Sequence, residues 1–170
     1  MQTHAEEILD LVDENDNVIG SVSAPEANSN PNLIHREVAV IIYDEKNRIL
    51  LQKRRMDMPV APGIWTISAA GHINKGTTLL EAAHEELREE LGFDTELEFL
   101  EKTLDKRPNE TRFFYWYKGK FSKNSKIKTQ AKEVADAKFV AKEDLEKFQK
   151  EGNEIGDISL DQIKKFWSGC

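Results

Sequence analysis

The chain has 170 residues, with 24 basic and 31 acidic side chains, a net charge of -7 and a single cysteine, Cys170. This length predicts one domain with room for a real hydrophobic core. The acidic balance argues against binding to a nucleic-acid polymer, which needs a basic surface, but it allows a small anionic substrate. One cysteine cannot form an intramolecular disulfide, and neither a signal-peptide core nor an apolar run of membrane-spanning length is found. We therefore expect a cytoplasmic protein without a membrane partner.

The first part of the chain predicts a hairpin followed by a buried strand. Apolar runs flank the turn-forming residues 13–17, so Glu7–Ala24 is predicted to fold back on itself as a β-hairpin. Pro25–Asn32 has the composition of a loop. The near-continuous apolar run within Arg36–Tyr43 then predicts a strand that is buried on both faces.

A second strand is predicted at Arg48–Arg55, and it ends in three consecutive cations, Lys53, Arg54 and Arg55. Cations at a strand end can contact the phosphate oxygens of a substrate, or they can be solvated charges at a sheet edge, and the sequence favours neither. After a loop with two prolines, Ile64–Ala70 predicts a short strand that leads directly into Gly71.

A helix from about Leu79 to Leu91 is predicted by the residues at its two ends. Thr78 and Glu81 have the spacing of a capping box, in which each side chain accepts a hydrogen bond from the other residue's backbone N–H. Gly92 supplies the left-handed residue that commonly ends a helix.

The predicted helix carries three glutamates beside its apolar face. Leu80, Ala83, Leu87 and Leu91 share one face of a helical wheel, and Glu86, Glu89 and Glu90 lie next to them, whereas Arg88 points away. Like charges four residues apart destabilise a helix by about 0.2–0.5 kcal/mol per pair, and a divalent cation with oxygen ligands would remove that cost. The alternative is an acidic helix face exposed to solvent.

Two further strands are predicted after the helix, at Glu96–Thr103 and Arg112–Phe121, with a polar connection at Leu104–Glu110 between them. The second strand contains five consecutive aromatic residues, which indicates that both of its faces are covered. Phe114 and Trp116 are our candidates for stacking on a flat group of the substrate. The alternative is that all five aromatic side chains lie in the core.

The last strand is predicted at Glu133–Val140, where Glu133 at the strand entry is a candidate general base. Two amphipathic helices follow, at Lys142–Lys150 and Asp157–Trp167. Their apolar positions fit packing on the core, and they fit the contact of a homodimer equally well.

The stretch Gly71–Phe93 resembles the Nudix box, G-x5-E-x7-R-E-U-x-E-E-x-G-U with U a bulky aliphatic residue. This motif marks hydrolases that cleave a nucleoside diphosphate linked to another group. The matching residues are Gly71, Glu86, Leu87, Glu89, Glu90, Gly92 and Phe93. Two positions depart from the motif: Thr77 stands where the family has its first glutamate, and Glu85 where it has the arginine thought to orient the catalytic carboxylates.

The resemblance covers most of the chain, roughly Leu9 to Trp167, and implies an α/β fold of the α+β kind, an α/β/α sandwich with a mixed sheet. The single domain would span residues 1–170, with the hairpin at 7–24, the Nudix box at 71–93 and the C-terminal helices at 141–168. It implies Mg²⁺, or Mn²⁺ in its place, as the cofactor, held by Glu86, Glu89 and Glu90. Glu86 and Glu89 are then catalytic carboxylates, with Glu86 as ligand or base and Glu133 as a second candidate base.

Within this family the chain is most similar to the branch that contains isopentenyl-diphosphate isomerase and its hydrolase relatives. That isomerase uses a cysteine where this chain has Ala70, and alanine cannot carry a proton. Its metal site is matched at two histidines and, loosely, one glutamate, whereas two other ligand positions differ. The matches are His35, His72 and Glu110, and the differences are Asn28 and Arg112. The alternative for the two histidines is a structural, hydrogen-bonded role.

Three functions follow from these residues. The first is a Mg²⁺-dependent hydrolase that cleaves a diphosphate linkage in a nucleoside diphosphate or a related small phosphorylated metabolite. The second is a binding or regulatory protein of the same fold with little catalysis, which Thr77 and Glu85 favour. The third is an isomerase, which Ala70 opposes.

Overall fold

A computed structural model describes residues 7–169 of the chain. Its nine strands are β1 (Ile8–Val12), β2 (Val18–Ser23), β3 (His35–Tyr43), β4 (Ile49–Arg54), β5 (Trp65–Thr66), β6 (Ala69–His72), β7 (Leu97–Lys106), β8 (Thr111–Lys120) and β9 (Val134–Val140). The helices are α1 (Ala24–Ala27), α2 (Leu79–Leu91), α3 (Leu145–Lys150) and α4 (Asp157–Ser168), with a 3₁₀ turn at Lys142–Asp144 before α3. None of the helices in residues 7–169 is long and apolar enough to cross a membrane.

Seven of the strands form one mixed sheet. Its main path runs β5-β4-β3-β8-β7, with β6 paired to β3 and β9 paired to β4. The β3–β8 pair is parallel, and the other pairs are antiparallel. The central position of β3 on this path explains its continuous apolar sequence. The prediction that this strand is buried on both faces is confirmed.

The two faces of the sheet build two separate cores. Alternate residues of β3 point to opposite faces, so Val38, Val40 and Ile42 pack with α2, whereas Ala39 and Ile41 pack with α3 and α4. The sheet therefore lies between one helix and a pair of helices. The mixed sheet and the α+β architecture predicted from the resemblance are confirmed.

The hairpin β1–β2 is a separate two-stranded sheet that packs beside the main one. Isolated bridges join Leu9 to Asn74 and Val12 to Ile34. At the hairpin tip, Asp16 accepts hydrogen bonds from Arg36 and Tyr115. These contacts fix the N-terminal hairpin against β3, β8 and the segment that leads into α2.

One predicted strand is divided in two in the structure. The sequence predicted a single strand at Ile64–Ala70, but β5 ends at Thr66 and β6 begins at Ala69. Ser68, which is fully buried, accepts a hydrogen bond from Ile42 N at 2.8 Å and donates one to Leu50 O at 2.6 Å. The serine side chain thus links β3 to β4 by hydrogen bonds. The strand that follows it, β6, pairs with β3.

The other differences are local. Strand β7 continues to Lys106, so the predicted polar connection is shorter, and the loop predicted at Pro25–Asn32 begins inside the short helix α1. The prediction that Leu80 belongs to the apolar face of α2 is wrong, because its side chain is 44% exposed. Leu79, one residue earlier, packs against the core instead, so the buried face of α2 passes through Leu79, Ala82, Ala83, Leu87 and Leu91.

Candidate active site

Helix α2 has the boundaries that its end residues predicted. Thr78 Oγ1 accepts a hydrogen bond from Glu81 N at 3.3 Å, and Glu81 Oε2 accepts one from Thr78 N at 3.0 Å. Gly92 adopts a left-handed conformation with φ of 73°. A Cβ there would lie 2.7 Å from Lys128 O, so backbone approach as well as φ requires glycine.

The end of β6 and the middle of α2 meet at Gly71 and Glu86. An ideal Cβ built on Gly71 would lie 2.3 Å from Glu86 Cδ and 2.3 Å from its Oε1. No side chain larger than hydrogen fits this gap without a shift of the carboxylate. The glycine that begins the motif therefore exists to let a carboxylate lie directly against the strand backbone.

Glu90 is the most buried of the helix carboxylates, with 5% of its surface exposed. Its Oε2 accepts hydrogen bonds from Gln52 Nε2 at 2.7 Å and from Ala70 N at 3.1 Å. Burial, helped by the nearby charge of Glu133, raises the pKa of Glu90 to about 8, although these two hydrogen bonds and Arg54 act in the opposite direction. Strands β4 and β6 thus fix the orientation of this carboxyl group.

Glu86 is surrounded by negative charge. Burial raises its pKa well above the ordinary value, and the charges of Glu90, Glu89, Glu7 and Glu133 raise it further, in that order. Glu89 itself is exposed. We call Glu86, Glu89 and Glu90 the α2 carboxylates. The charge of Glu133 acts on both Glu86 and Glu90, so the structure brings these carboxylates within electrostatic reach of it.

The three cations at the end of β4 take separate directions. Arg54 acts electrostatically on Glu90 and donates a hydrogen bond to Val60 O at 2.9 Å. Lys53 points to the other face, where its Nζ lies 5.9 Å from the ring centre of Trp65. Arg55 pairs with Asp57 through Nε at 2.8 Å. Of these three cations, Arg54 is the one whose charge acts on the α2 carboxylates. The phosphate-binding role of all three cations stays a prediction.

Phe114 and Trp116 lie in the core between the sheet and the C-terminal helices. They are 6% and 1% exposed, and the Trp116 indole N–H donates to Thr103 Oγ1 at 2.8 Å. Gln52, the partner of Glu90, lies on the α2 face, because it is two residues from Leu50 in that core. The two aromatic side chains are therefore on the opposite face of the sheet from the α2 carboxylates, and their contact with substrate stays a prediction.

An open cavity of about 580 Å³ lies beside the end of β4. Its lining residues are Arg55, Met56, Asp57, Thr129, Ala131, Val134 and Ala135. The backbone N–H of Arg55 donates to Glu133 O at 3.0 Å, which places the cavity next to the candidate base. This cavity was not predicted from the sequence, because its walls come from two segments that are far apart in the chain, the loop after β4 and the stretch that leads into β9.

A second polar cluster lies where β3, β6 and β8 run side by side. The ligand-type atoms of His35, Glu37 and His72 all lie within 4.8 Å of one another, a spacing that a metal ion could bridge. We call these three residues the histidine–glutamate cluster. Both histidines were candidates from the sequence, but Glu37 was not, although a glutamate inside an otherwise apolar strand was a usable signal.

Arg112 sits next to the histidine–glutamate cluster. Its NH1 lies 3.0 Å from Glu37 Oε1 and 3.2 Å from Glu110 Oε1. Burial alone would raise the pKa of Glu37, but the charge of Arg112, together with the contacts of His35 and His72, outweighs this effect and holds that pKa well below its ordinary range. A cation from the protein thus occupies the position where the resemblance to the isomerase implied a metal ligand, and the residues present do not fit a free metal site.

The two histidines have different surroundings. His72 Nδ1 lies 2.8 Å from Glu7 Oε2, and its Nε2 lies 3.2 Å from Asn28 Oδ1. The structural, hydrogen-bonded role that the sequence offered as an alternative therefore describes His72. His35 is fully buried and neither ring nitrogen has a hydrogen-bond partner, so the same description does not hold for it.

The two departures from the Nudix box have ordinary surroundings. Glu85 is exposed, and Thr77 donates its backbone N–H to Asn74 O at 3.0 Å. Neither residue leaves an unpaired buried charge. Arg54, on β4, is the cation whose charge acts on Glu90 from outside the helix.

The structure is thus a mixed sheet enclosed by helices, with Glu86 of α2 held against the backbone of Gly71. The family model of the NUDIX domain matches residues 33–160. The chain is 35% identical over 154 residues to an uncharacterized Nudix hydrolase of Listeria monocytogenes, which covers 91% of each chain. It is also 34% identical over 169 residues to isopentenyl-diphosphate Delta-isomerase 2 of Photorhabdus laumondii, covering 96% of this chain and 92% of that protein.

Among solved structures, the DR0079 protein of Deinococcus radiodurans superposes with a TM-score of 0.76 at 19% identity, covering 94% of this chain and 98% of that one. This likeness supports the fold. The chain therefore belongs to the Nudix family, as its sequence resemblance predicted, and it is a Nudix-type hydrolase.

Proposed function

We propose that this protein hydrolyses a diphosphate linkage in a nucleoside diphosphate or a related small phosphorylated metabolite, with Mg²⁺ as cofactor and Mn²⁺ able to replace it. The observation that carries the proposal is the position of Glu86, which is held against Gly71 and surrounded by Glu89, Glu90 and Glu133. Carboxylates that lie close together, with raised pKa values for Glu86 and Glu90, fit a hard divalent ion.

Each carboxylate has a role in this proposal. Glu86, Glu89 and Glu90 hold the cation, and the bonds from Gln52 and Ala70 to one oxygen of Glu90 leave its other oxygen for that purpose. When bound, the ion polarises a phosphoryl oxygen and lowers the pKa of a coordinated water.

Two carboxylates are candidates for the general base that takes the proton from the attacking water. Glu86 has the strongly raised pKa that favours proton uptake. Glu133 approaches from the other side of the site, and its charge acts on Glu86 and Glu90. Arg54 supplies positive charge toward the diphosphate, with Lys53 and Arg55 as further candidates.

The sequence similarity to an isomerase and to a hydrolase is nearly equal, so the site must discriminate between them. Ala70 offers its backbone N–H to Glu90 and has no acid or base group. Arg112 lies at the histidine–glutamate cluster. Both observations favour the hydrolase.

A binding protein with weak catalysis is the second candidate, because Thr77 and Glu85 replace two residues of the motif.

We further propose that the partner of this chain is a small phosphorylated molecule rather than a nucleic-acid polymer or a membrane. We also propose that the protein acts in the cytoplasm. The acidic net charge of -7 supports the first part.

The homodimer contact through the C-terminal helices stays a prediction. Ile163 and Trp167 of α4 are already buried in the core of the single chain, which leaves less apolar surface for such a contact.

The experiment is product release from nucleoside diphosphates, nucleotide sugars and dinucleoside polyphosphates, measured with Mg²⁺ and with EDTA. Glu86→Gln and Glu90→Gln are compared with Glu85→Gln, an exposed glutamate of the same helix, as the matched control. We expect metal-dependent turnover that falls at least ~100-fold in the first two variants, as for loss of a catalytic base, and persists in the control. Absence of turnover on the whole panel, with Mg²⁺ binding intact, would support the binding protein instead. Incubation with isopentenyl diphosphate tests the isomerase.

A further inference from the structure

One carboxylate oxygen is the meeting point of the histidine–glutamate cluster. Glu37 Oε1 lies 3.0 Å from Arg112 NH1, 3.5 Å from His35 Nε2 and 3.7 Å from His72 Nε2. These side chains come from β3, β6 and β8, which pair directly in the sheet. The backbone register therefore fixes their approach, and no loop has to move to bring them together.

His35 has an unusual environment within this cluster. It is fully buried, and both of its ring nitrogens lack a hydrogen-bond partner. The distance from His35 Nε2 to Glu37 is 3.5 Å, longer than a good hydrogen bond. A buried polar group without a partner is costly, and an imidazole of this kind has the lone pair that a metal ion uses.

The cluster has the donor set of a transition-metal site. Two imidazoles and one carboxylate, with ligand atoms within 4.8 Å of one another, suit Zn²⁺ and Co²⁺. His72 would ligate through Nε2 in place of its contact with Asn28 Oδ1, while its Nδ1 keeps the contact with Glu7. This donor set differs from that of the α2 carboxylates, which offer oxygen alone and suit Mg²⁺.

Arg112 is held in this place by three carboxylates. Its NH1 lies 3.0 Å from Glu37 and 3.2 Å from Glu110, and its Nε lies 3.4 Å from Asp105. Its guanidinium carbon lies 4.8 Å from the ring centre of Phe114. Contacts on all these sides fix the guanidinium, and a divalent ion ligated by Glu37 Oε1 would have to lie next to this positive charge.

We infer that Arg112 is a built-in cation that occupies and closes a transition-metal site formed by His35, Glu37 and His72. Its charge balances Glu37 and Glu110 in the absence of metal, and its bulk and charge exclude a divalent ion. Removal of the guanidinium leaves three carboxylates and two imidazoles with one positive charge fewer. The vacated cluster then takes Zn²⁺ or Co²⁺.

The test is a Co²⁺ titration followed by visible absorption, with all chains carrying Glu86→Gln to weaken binding at the α2 carboxylates. The chains compared are the parent, Arg112→Ala, Arg112→Lys and Arg112→Ala with His35→Ala. Arg88→Ala is the matched control, since Arg88 is an arginine paired with Asp94 on the surface of α2. The readout is binding, so it does not depend on whether the protein hydrolyses any substrate.

We expect Arg112→Ala to bind one Co²⁺ at least ~100-fold more tightly than the parent, a difference of about 2.7 kcal/mol. The added His35→Ala should abolish this gain, and Arg112→Lys and Arg88→Ala should resemble the parent. Binding of Co²⁺ by the parent in a His35-dependent manner would overturn the inference. So would a folded Arg112→Ala that gains no binding.

Loss of Arg112 leaves buried carboxylates unpaired and can unfold the metal-free variant. In that case the measurement is the recovery of the folded far-UV circular dichroism signal on addition of Zn²⁺. Recovery at one equivalent that requires His35 supports the inference. A variant that stays unfolded at every Zn²⁺ concentration contradicts it.

Discussion

Gly71 and Glu86 are in such close contact that an added Cβ on the glycine would lie 2.3 Å from the carboxyl carbon of the glutamate. The two residues are the first glycine and a central glutamate of the Nudix box, separated by a loop and two turns of helix. The contact gives the spacing of the motif a physical meaning, because the loop length sets where the helix carboxylate meets the strand.

The first prediction concerns the substitution Gly71→Ala. The new methyl group must displace the Glu86 carboxylate, so we expect turnover to fall by at least ~100-fold, as for loss of a positioned catalytic group, while the protein stays folded. The control is Gly20→Ala, whose Cβ would meet Leu11 at an ordinary 3.7 Å. Kinetics and thermal unfolding of both variants provide the measurement, and unchanged turnover in Gly71→Ala would show that the contact between Gly71 and the Glu86 carboxylate is not required.

The second prediction concerns pH and stability without metal. Burial raises the pKa of Glu90 from an unfolded value near 4.5 to about 8, so the folded state binds this proton more tightly than the unfolded state. Its contribution to stability is therefore fully present below about pH 4.5 and is lost as pH rises toward 8. Bound Mg²⁺ favours the ionised carboxylate and should reduce this loss.

The measurement is urea unfolding at several pH values between 5 and 8, with EDTA and with Mg²⁺. Each unit of pKa shift corresponds to roughly 1.4 kcal/mol, so we expect the EDTA curve to fall by a few kcal/mol over this range. Glu90→Gln cannot ionise and should show a flatter curve. Equal slopes for wild type and Glu90→Gln would mean that Glu90 does not carry the pH dependence.

The third prediction concerns Glu85, which stands at the position of the family's arginine. Because its side chain is exposed, we expect Glu85→Arg to change kcat/KM by less than ~5-fold, about 1 kcal/mol. The measurement is the steady-state kinetics of the Glu85→Arg variant. The Glu85→Gln variant separates the loss of the negative charge from the gain of a positive one. A large rise in turnover would instead mean that the natural chain is impaired at this position.

The fourth prediction concerns Trp116. Its side chain is 1% exposed and its indole N–H donates to Thr103, so Trp116→Phe should lower stability by about 1–3 kcal/mol through lost packing and an unpaired hydroxyl. Burial away from the α2 carboxylates leads us to expect an unchanged KM. A raised KM at unchanged stability would restore the predicted role of Trp116 in substrate binding.

The sequence predicted the helix of the Nudix box to within a residue at each end. Thr78, Glu81 and Gly92 act through hydrogen bonds and dihedral preferences that span a few residues, and such local effects can be read from the chain. It failed at Ile64–Ala70, where the buried hydroxyl of Ser68 bonds to Ile42 and Leu50 and divides the strand. No local pattern records that bond.

The sequence by itself determined the family, the alternation of the sheet and the group of glutamates on one helix, since periodicity and motif spacing are properties of short stretches. Only the tertiary structure decided that Glu90 bonds to Gln52, 38 residues earlier in the chain, and that Arg112 meets Glu37, 75 residues earlier. Such pairs depend on strand order and register, which are set by the packing of the whole sheet. The same packing placed Trp116 on the face opposite the α2 carboxylates. A run of five consecutive aromatic residues does not by itself determine which of them lie on that face.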